Sequence, residues 1–326
     1  MNTAPAETRR RTRHRRKHVG EHGADETRRR KLDAGKQDVE KWLRGKGIRR
    51  RPASAGLLSP GRLPALLWLL LAASCGPVPP NGTAGVNDVQ IPPIEVPGSS
   101  MPSGPIPATF ELPPGKGPFP AVIVLHGCGG RGASQLYWAK RLNGWGYAAL
   151  IPDSMTPRGV KRVCEPDAQA LVTPRDRVGD VGSAIAWLRA RPEIDPNRIA
   201  VLGLSHGGAT AVIATERAYE GFRLRAAIDY YGPCVDPAAH GTVPLLVLVG
   251  EADDWGHPAV RCHAFGQALH PGQPFEMYTY PGAYHAFDNP DMVRTVSNGH
   301  VLEYNAAAAM DSYLRVHAFL DHWVRN

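Results

Sequence analysis

The stretch Val201–Ala211, VLGLSHGGATA, sets a serine among glycines at the end of an apolar run. Gly203-Leu204-Ser205-His206-Gly207 fits G-x-S-x-G, a pattern in which a strand turns into a helix so sharply that bulky neighbours would clash. A serine there is forced into a strained backbone geometry. Its hydroxyl stands clear of the sheet at a helix N-terminus, where developing negative charge is favoured. The pattern alone also fits an ordinary glycine-rich turn. Its place between an apolar strand and a helix is what singles out Ser205.

The rest of the chain supplies that context. PAVIVLHG (120–127) is a short apolar run ending in glycine, as a buried parallel strand does. SQLYWAKRLNGWG (134–146) reads as a helix stopped by Gly144 and Gly146, and YAALIPDS (147–154) as a second strand. DRVGDVGSAIAWLRARPEI (176–194) sets Val178, Val181, Ile185 and Leu188 on one helical stripe. A strand at 197–205 and a helix at 207–219 follow, then strands at 224–232 and 243–254. A helix at 258–269, a strand from 275 and a long closing helix at 302–324 complete the series. Such alternation predicts an α/β fold with a mostly parallel central sheet and helices on both faces. Ligands then bind beyond the carboxyl ends of the strands.

A serine hydroxyl needs a base to take its proton, and the base needs an orienting acid. In this architecture the chain order is serine, acid, histidine. VLVGEADDWGHP places Asp253 and Asp254 just past a strand end, and YPGAYHAFDNP places His285 past the next. The expected triad is therefore Ser205, Asp253 and His285. Asp253 is preferred because a short glycine-led turn fixes its distance from the strand, with Asp254 as the alternative acid or a cap for the following helix. His257 and His263 are weaker competitors for the base, since they precede the last strand or lie in a helix. The first strand ends in LHGCGG, whose glycines let backbone approach a substrate carbonyl. The Cys128 and His206 N–H groups are thus the candidate oxyanion hole. His126 reads as a brace for that loop, and Cys128 lacks the surroundings of a nucleophile.

Charge separates the N-terminal region from this body. Residues 1–62 hold 19 of the 38 Lys and Arg and 7 of the 30 Asp and Glu, a net of +12, which leaves 19 basic against 23 acidic residues and a net of −4 beyond. A nucleic-acid patch would have to lie in the tail, and the body argues against one. The tail has too few apolar residues to offset its ordering entropy and reads as a disordered extension, or as a start placed too far upstream. Behind it a basic segment leads into the apolar stretch Leu63–Ala73, small residues and Cys75, the layout of a secretory signal too short to span a bilayer. LAASC also resembles a lipoprotein processing site, so export and lipidation of Cys75 are expected, with the lipid the sole contact with a membrane. Arg49–Arg51 does not extend to a twin-arginine signal, because Pro52 follows. Residues 76–104 are rich in Pro, Gly and Ser and read as a tether. The folded domain is expected at 105–326, roughly 220 residues, a size for one α/β domain.

VLHGCGG, PDSMTPRG, GLSHGG, GEADDW and YPGAYHAFDNP occur in that order over residues 105–326. With them the chain resembles the dienelactone hydrolase family of the α/β-hydrolase superfamily. The resemblance implies an eight-stranded sheet, hydrolysis of a small-molecule ester or lactone, and no metal or organic cofactor. It carries nucleophile, acid and base onto Ser205, Asp253 and His285. The enzymes that gave the family its name have cysteine at the elbow. Ser205 therefore points to general carboxylic ester hydrolysis rather than to dienelactone itself.

Arg158, in the loop after the second strand, is weighed as a grip on an anionic substrate group against a structural ion pair. Tyr231, at another strand end, is a candidate pocket residue. Of 5 cysteines, Cys75 is set aside for lipid. The remaining four allow three pairings that sequence cannot choose among, with Cys234–Cys262 preferred because both fall at neighbouring strand ends. Buried free thiols are the other reading. Two rival functions stay open: a serine peptidase on the same scaffold, which would lack the length for a peptide-selecting propeller, and a non-catalytic ligand-binding lipoprotein, which would have no need of a triad.

Overall fold

The computed structural model describes residues 87–326. The basic extension, the signal-like segment, Cys75 and the first part of the tether lie outside the described residues. Alternation becomes architecture through eight strands: β1 Asn87–Ile91, β2 Ile106–Glu111, β3 Phe119–Leu125, β4 Ala148–Pro152, β5 Ile194–Leu204, β6 Ala226–Tyr230, β7 Leu245–Gly250 and β8 Phe275–Tyr280. They form one sheet in the order β1-β2-β4-β3-β5-β6-β7-β8. From β4 to β8 every neighbouring pair is parallel, while β1 with β2 and β2 with β4 are antiparallel.

Strand side chains alternate between faces, and both faces are buried, so the central strands are apolar at nearly every position. Ile123, Leu125, Val201 and Val247 point into one core with Val181, Ile185 and Leu188 of α2 (Val178–Arg189) and Phe265 of α4 (Pro258–Ala268). Val122, Val124, Leu202 and Leu246 point into the other with Trp138 and Leu142 of α1 (Ala133–Gly144) and Tyr313, Val316 and Phe319 of α5 (Ala306–Leu320). The stripe expected of α2 is fully formed: Val178, Val181, Ile185 and Leu188 are all buried. α5 is started by Asn305, whose side-chain oxygen accepts from the Ala308 N–H at 3.1 Å.

Several boundaries differ from the sequence reading, each for a local reason. The helix after Ser205, α3, covers His206–Ile213 only. Glu216 is extended and pairs with His240, so the chain continues as a separate 3-10 turn, Arg217–Phe222. The closing helix starts at Ala306, because His300–Leu302 (β10) instead pairs with Thr295–Ser297 (β9) as a small hairpin. The packed domain also begins before residue 105. β1 adds to the sheet edge with Ile91 fully buried, Val96 is buried beside Gly182, and the Ile94 N–H donates to Ser183 Oγ at 3.0 Å. Residues 87–104 are therefore part of the fold, not a tether. Their prolines conceal this, and β2 itself carries Pro107, which weakens a strand reading.

If β1 belongs to the domain, Ile91→Ala should cost about 2–4 kcal/mol, as truncation of a fully buried isoleucine does. Urea unfolding should show a lowered midpoint at unchanged slope. A midpoint equal to wild type would return these residues to the tether.

Candidate active site

The turn between β5 and α3 is shaped by what its glycines exclude. A Cβ on Gly203 would overlap the carbonyl of Gly207, and one on Gly207 would lie 2.6 Å from the Leu125 carbonyl oxygen. Between them Ser205 sits at φ 56°, ψ −115°, a positive-φ conformation that a serine adopts only when its surroundings hold it there. Its N–H donates to the Tyr230 carbonyl at 2.8 Å and its carbonyl accepts from Ala209 at 3.0 Å, which locks the turn to β6 and α3. The side chain is half-buried and faces the carboxyl edge of the sheet.

Two further strand ends deliver their residues to the same point. Gly250 closes β7, and the Ala283 carbonyl packs where its Cβ would be, so the turns after β7 and β8 can touch. The Ala252 N–H donates to that carbonyl at 3.1 Å. Asp253 Oδ2 then lies 2.7 Å from His285 Nδ1, and His285 Nε2 lies 2.9 Å from Ser205 Oγ. Asp253 Oδ1 accepts from the Trp255 N–H at 2.9 Å, which fixes the carboxylate. Asp253 and His285 are both buried at 4% exposure, a setting in which their mutual hydrogen bond is shielded from water. The Tyr231 and Trp255 rings lie 4.7 Å and 5.1 Å from the imidazole. A histidine whose Nδ1 faces a carboxylate presents Nε2 as the acceptor, ready to take the hydroxyl proton.

The other expected residues divide. Asp254 is exposed and bonds His300 at 3.0 Å, and α4 is preceded by His257, so Asp254 is neither partner of His285 nor helix cap. His257 and His263 both face solvent. Tyr231 does not line an open pocket: it is buried, and its hydroxyl donates to Asp288 at 2.6 Å while its ring backs His285. Arg158 makes the structural ion pair, one of its two readings, and does not reach for a substrate. Its fork bonds both oxygens of Asp180 at 2.9 and 3.0 Å, with the two side chains 8% and 0% exposed. Arg158 also donates to the Ser154 carbonyl at 2.9 Å. The Ser154 N–H in turn donates to His126 Nε2 at 3.1 Å, so His126 does brace the loop after β3. Cys234 and Cys262 are bridged as preferred, and Cys128 and Cys164 form a second bridge.

Three buried groups were not visible in the sequence. Burial raises the Asp229 carboxyl well above its ordinary range, and its Oδ1 accepts from Gly232 at 2.8 Å. It lies close to both sulfurs of the Cys234–Cys262 bridge, a grouping with the donor types of a metal site, but the sulfurs are spent on each other. Burial likewise raises the Asp288 carboxyl, which is held by Tyr231 and by Trp138 Nε1 at 2.8 Å. Arg177, fully buried at the start of α2, donates from Nη1 to His206 Nδ1 at 2.8 Å. Burial, and then the Arg177 charge, holds the His206 imidazole down at about 3, so it stays neutral beside Ser205. None of the three lies in a pattern that periodicity or motif would flag.

A model of the dienelactone hydrolase family matches residues 106–324. A protein of Methylorubrum extorquens assigned as a carboxymethylenebutenolidase is 28% identical over 213 residues, 57% of this chain and 69% of its own length. One of Bradyrhizobium sp. assigned as a 2-oxo-3-(5-oxofuran-2-ylidene)propanoate lactonase is 26% identical over 202 residues, 55% of this chain and 78% of its own. Among solved structures, a protein of Klebsiella pneumoniae assigned as a dienelactone hydrolase superposes with a TM-score of 0.57 at 22% identity, covering 73% of this chain and 99% of that one. At that identity the likeness speaks for the fold.

Arg158→Met should destabilise the protein by about 3–5 kcal/mol, because it strands the buried Asp180 carboxylate without its partner. Denaturant unfolding measures this, and a loss below about 1 kcal/mol would count against the ion pair. A second expectation concerns pH. An unfolded histidine takes up its proton near ~6.5. The folded His206 does so only at about 3, so the unfolded state binds the extra proton in between. Stability from this residue is complete above pH ~6.5 and declines as pH falls toward 3. His206→Gln keeps the backbone N–H but removes the uptake, so its urea midpoint should fall less steeply over that window than wild type does.

Proposed function

The chain belongs to the dienelactone hydrolase family, and we propose that it hydrolyses carboxylic esters or lactones through an acyl-enzyme on Ser205. The observation that carries this reading is the unbroken line of hydrogen bonds from Asp253 through His285 to Ser205, at 2.7 and 2.9 Å. His285 Nε2 takes the Ser205 proton as Oγ attacks the ester carbonyl. Asp253 holds the ring by Nδ1–H and stabilises the imidazolium that forms. The carbonyl oxygen gains negative charge and is met by the backbone N–H groups of Cys128 and His206. The second of these is a first-turn helix N–H with no partner inside α3. The imidazolium then protonates the leaving alkoxide. Water enters, is deprotonated by His285, and releases the acid from Oγ.

The rival readings have less support. A non-catalytic binder gives no reason for the positive φ of Ser205, since strain of this kind persists where a site uses it. A peptidase needs room and partners for an extended chain, and no feature of the described residues favours one. For location we propose export with a lipid on Cys75. Two disulfides in the domain support an oxidising compartment.

Ser205→Ala should lower kcat on p-nitrophenyl acetate by about 10³-fold or more and abolish labelling by a fluorophosphonate probe, with the fold retained by circular dichroism. Asp253→Asn should lose on the order of 10⁴-fold, as a wrongly held imidazole does, whereas Asp254→Asn should stay near wild type. Equal losses at both aspartates, or a Ser205→Ala enzyme at wild-type rate, would sink the mechanism.

A further inference from the structure

The loop between β3 and α1 is braced at its start by His126 and closed on itself by one turn, the Gly130 N–H donating to the Gly127 carbonyl at 3.3 Å. It reads His126-Gly127-Cys128-Gly129-Gly130, and Gly130 takes a φ of 87°. Glycine restricts the backbone least of all residues, so this loop has little intrinsic reason to hold one conformation. Between Gly127 and Gly129 there is a single side chain, that of Cys128. Any fixed position of the Cys128 N–H must be imposed through that side chain or through the backbone around it.

The structure supplies both restraints from one place, the segment after β4. The Cys128 carbonyl accepts from the Val163 N–H at 2.8 Å, and the Cys128 sulfur is bonded to Cys164, the next residue. The far end is firm. Val163 is fully buried with Met155 and Val172, and the Cys164 carbonyl accepts from Asn298 Nδ2 of the β9–β10 turn at 3.0 Å. A Cβ on Gly130 would lie 2.9 Å from the Lys161 carbonyl oxygen, so the two segments are in contact along their length. An oxyanion donor must stand about 2.7–3.1 Å from the oxygen it stabilises, and a loop free to drift by an ångström forfeits most of that effect.

We propose that Cys164 is a positioning residue for hydrolysis: through its bond to Cys128 it holds the Cys128 N–H at the reacting carbonyl. The bridge acts on the transition state, where the oxyanion exists, and hardly on substrate binding. A dithiol opens it reversibly by exchange: the sulfur–sulfur bond breaks, Cys128 and Cys164 each gain a proton, and the dithiol leaves as its cyclic disulfide. The site is thereby sensitive to the redox state of its surroundings without any cysteine taking part in the chemistry. This inference rests on the Cys128 N–H being an oxyanion donor.

The test uses the full chain carrying Cys164→Ser, with Cys164→Ala beside it and p-nitrophenyl acetate as substrate. The expected result is a kcat lower by about 10- to 100-fold, a KM within about twofold of wild type, and a parallel fall in the rate at which a fluorophosphonate labels Ser205. Wild type treated with dithiothreitol should show the same loss and recover on reoxidation, with two mass units per bridge marking the change. The dithiothreitol arm is repeated in a Cys234→Ser, Cys262→Ser background, where the loss should persist. A folded Cys164→Ser enzyme with wild-type kcat and only a lower melting temperature overturns the proposal. So does a reduced wild type that turns over at full rate. Labelling of Ser205 in either case leaves the functional reading standing.

Discussion

The peptide at Ser205 can occupy its positive-φ conformation only because no side chain fills the space around it. A Cβ at Gly203 would collide with the Gly207 carbonyl, and a Cβ at Gly208 with the Asp229 carboxyl. These exclusions bring the start of α3 against the ends of β3 and β6. They decide where the hydroxyl points, where the helix N–H groups point, and how near the loop after β3 can come. The distances to His285 and Asp253 follow from the sheet once that turn is made. Parallel neighbours end at the same edge, and the Gly250 contact with Ala283 joins the last two turns.

Around this centre the protein keeps several charged side chains out of water. Arg158 and Asp180 form a nearly dry fork, and Arg177 is fully buried behind His206. Pairs of this kind add little net stability, because desolvation offsets their attraction. Their value lies in geometry. Arg158 positions Ser154, Ser154 positions His126, and His126 Nδ1 meets the Gly127 carbonyl at 2.7 Å. A carboxylate on α2 is thus linked by successive polar contacts to the loop after β3. The disulfide to Cys164 is the covalent counterpart of that route.

Much of this was legible in the sequence, and what was not has a common cause. Strand ends, the elbow and the order of Ser205, Asp253 and His285 are local: each is written in a run of a few residues. The buried stripe of α2 could likewise be read from its period. A strand-end position says that a residue is near the site and not which way it faces, and Tyr231 turns inward. Arg158 takes the ion-pair reading of the two it allowed. Asp229, Asp288 and Arg177 carry no local mark, since their burial is decided by segments far away in sequence. β1 was missed because its five residues, followed by two prolines, resemble a linker until β2 is there to pair with.

That first strand has a consequence for solubility. Without it β2 would present a bare row of N–H and carbonyl groups, the template on which sheets recruit foreign strands and aggregate. β1 covers that row, and Pro92 and Pro93 directly after Ile91 remove the next donors. A short, proline-terminated border with exposed Asp88 and Gln90 is a poor surface for further pairing. The segment that looked like a spacer thus works as a selvage, finishing the weave of the sheet so that it does not run on into its neighbours.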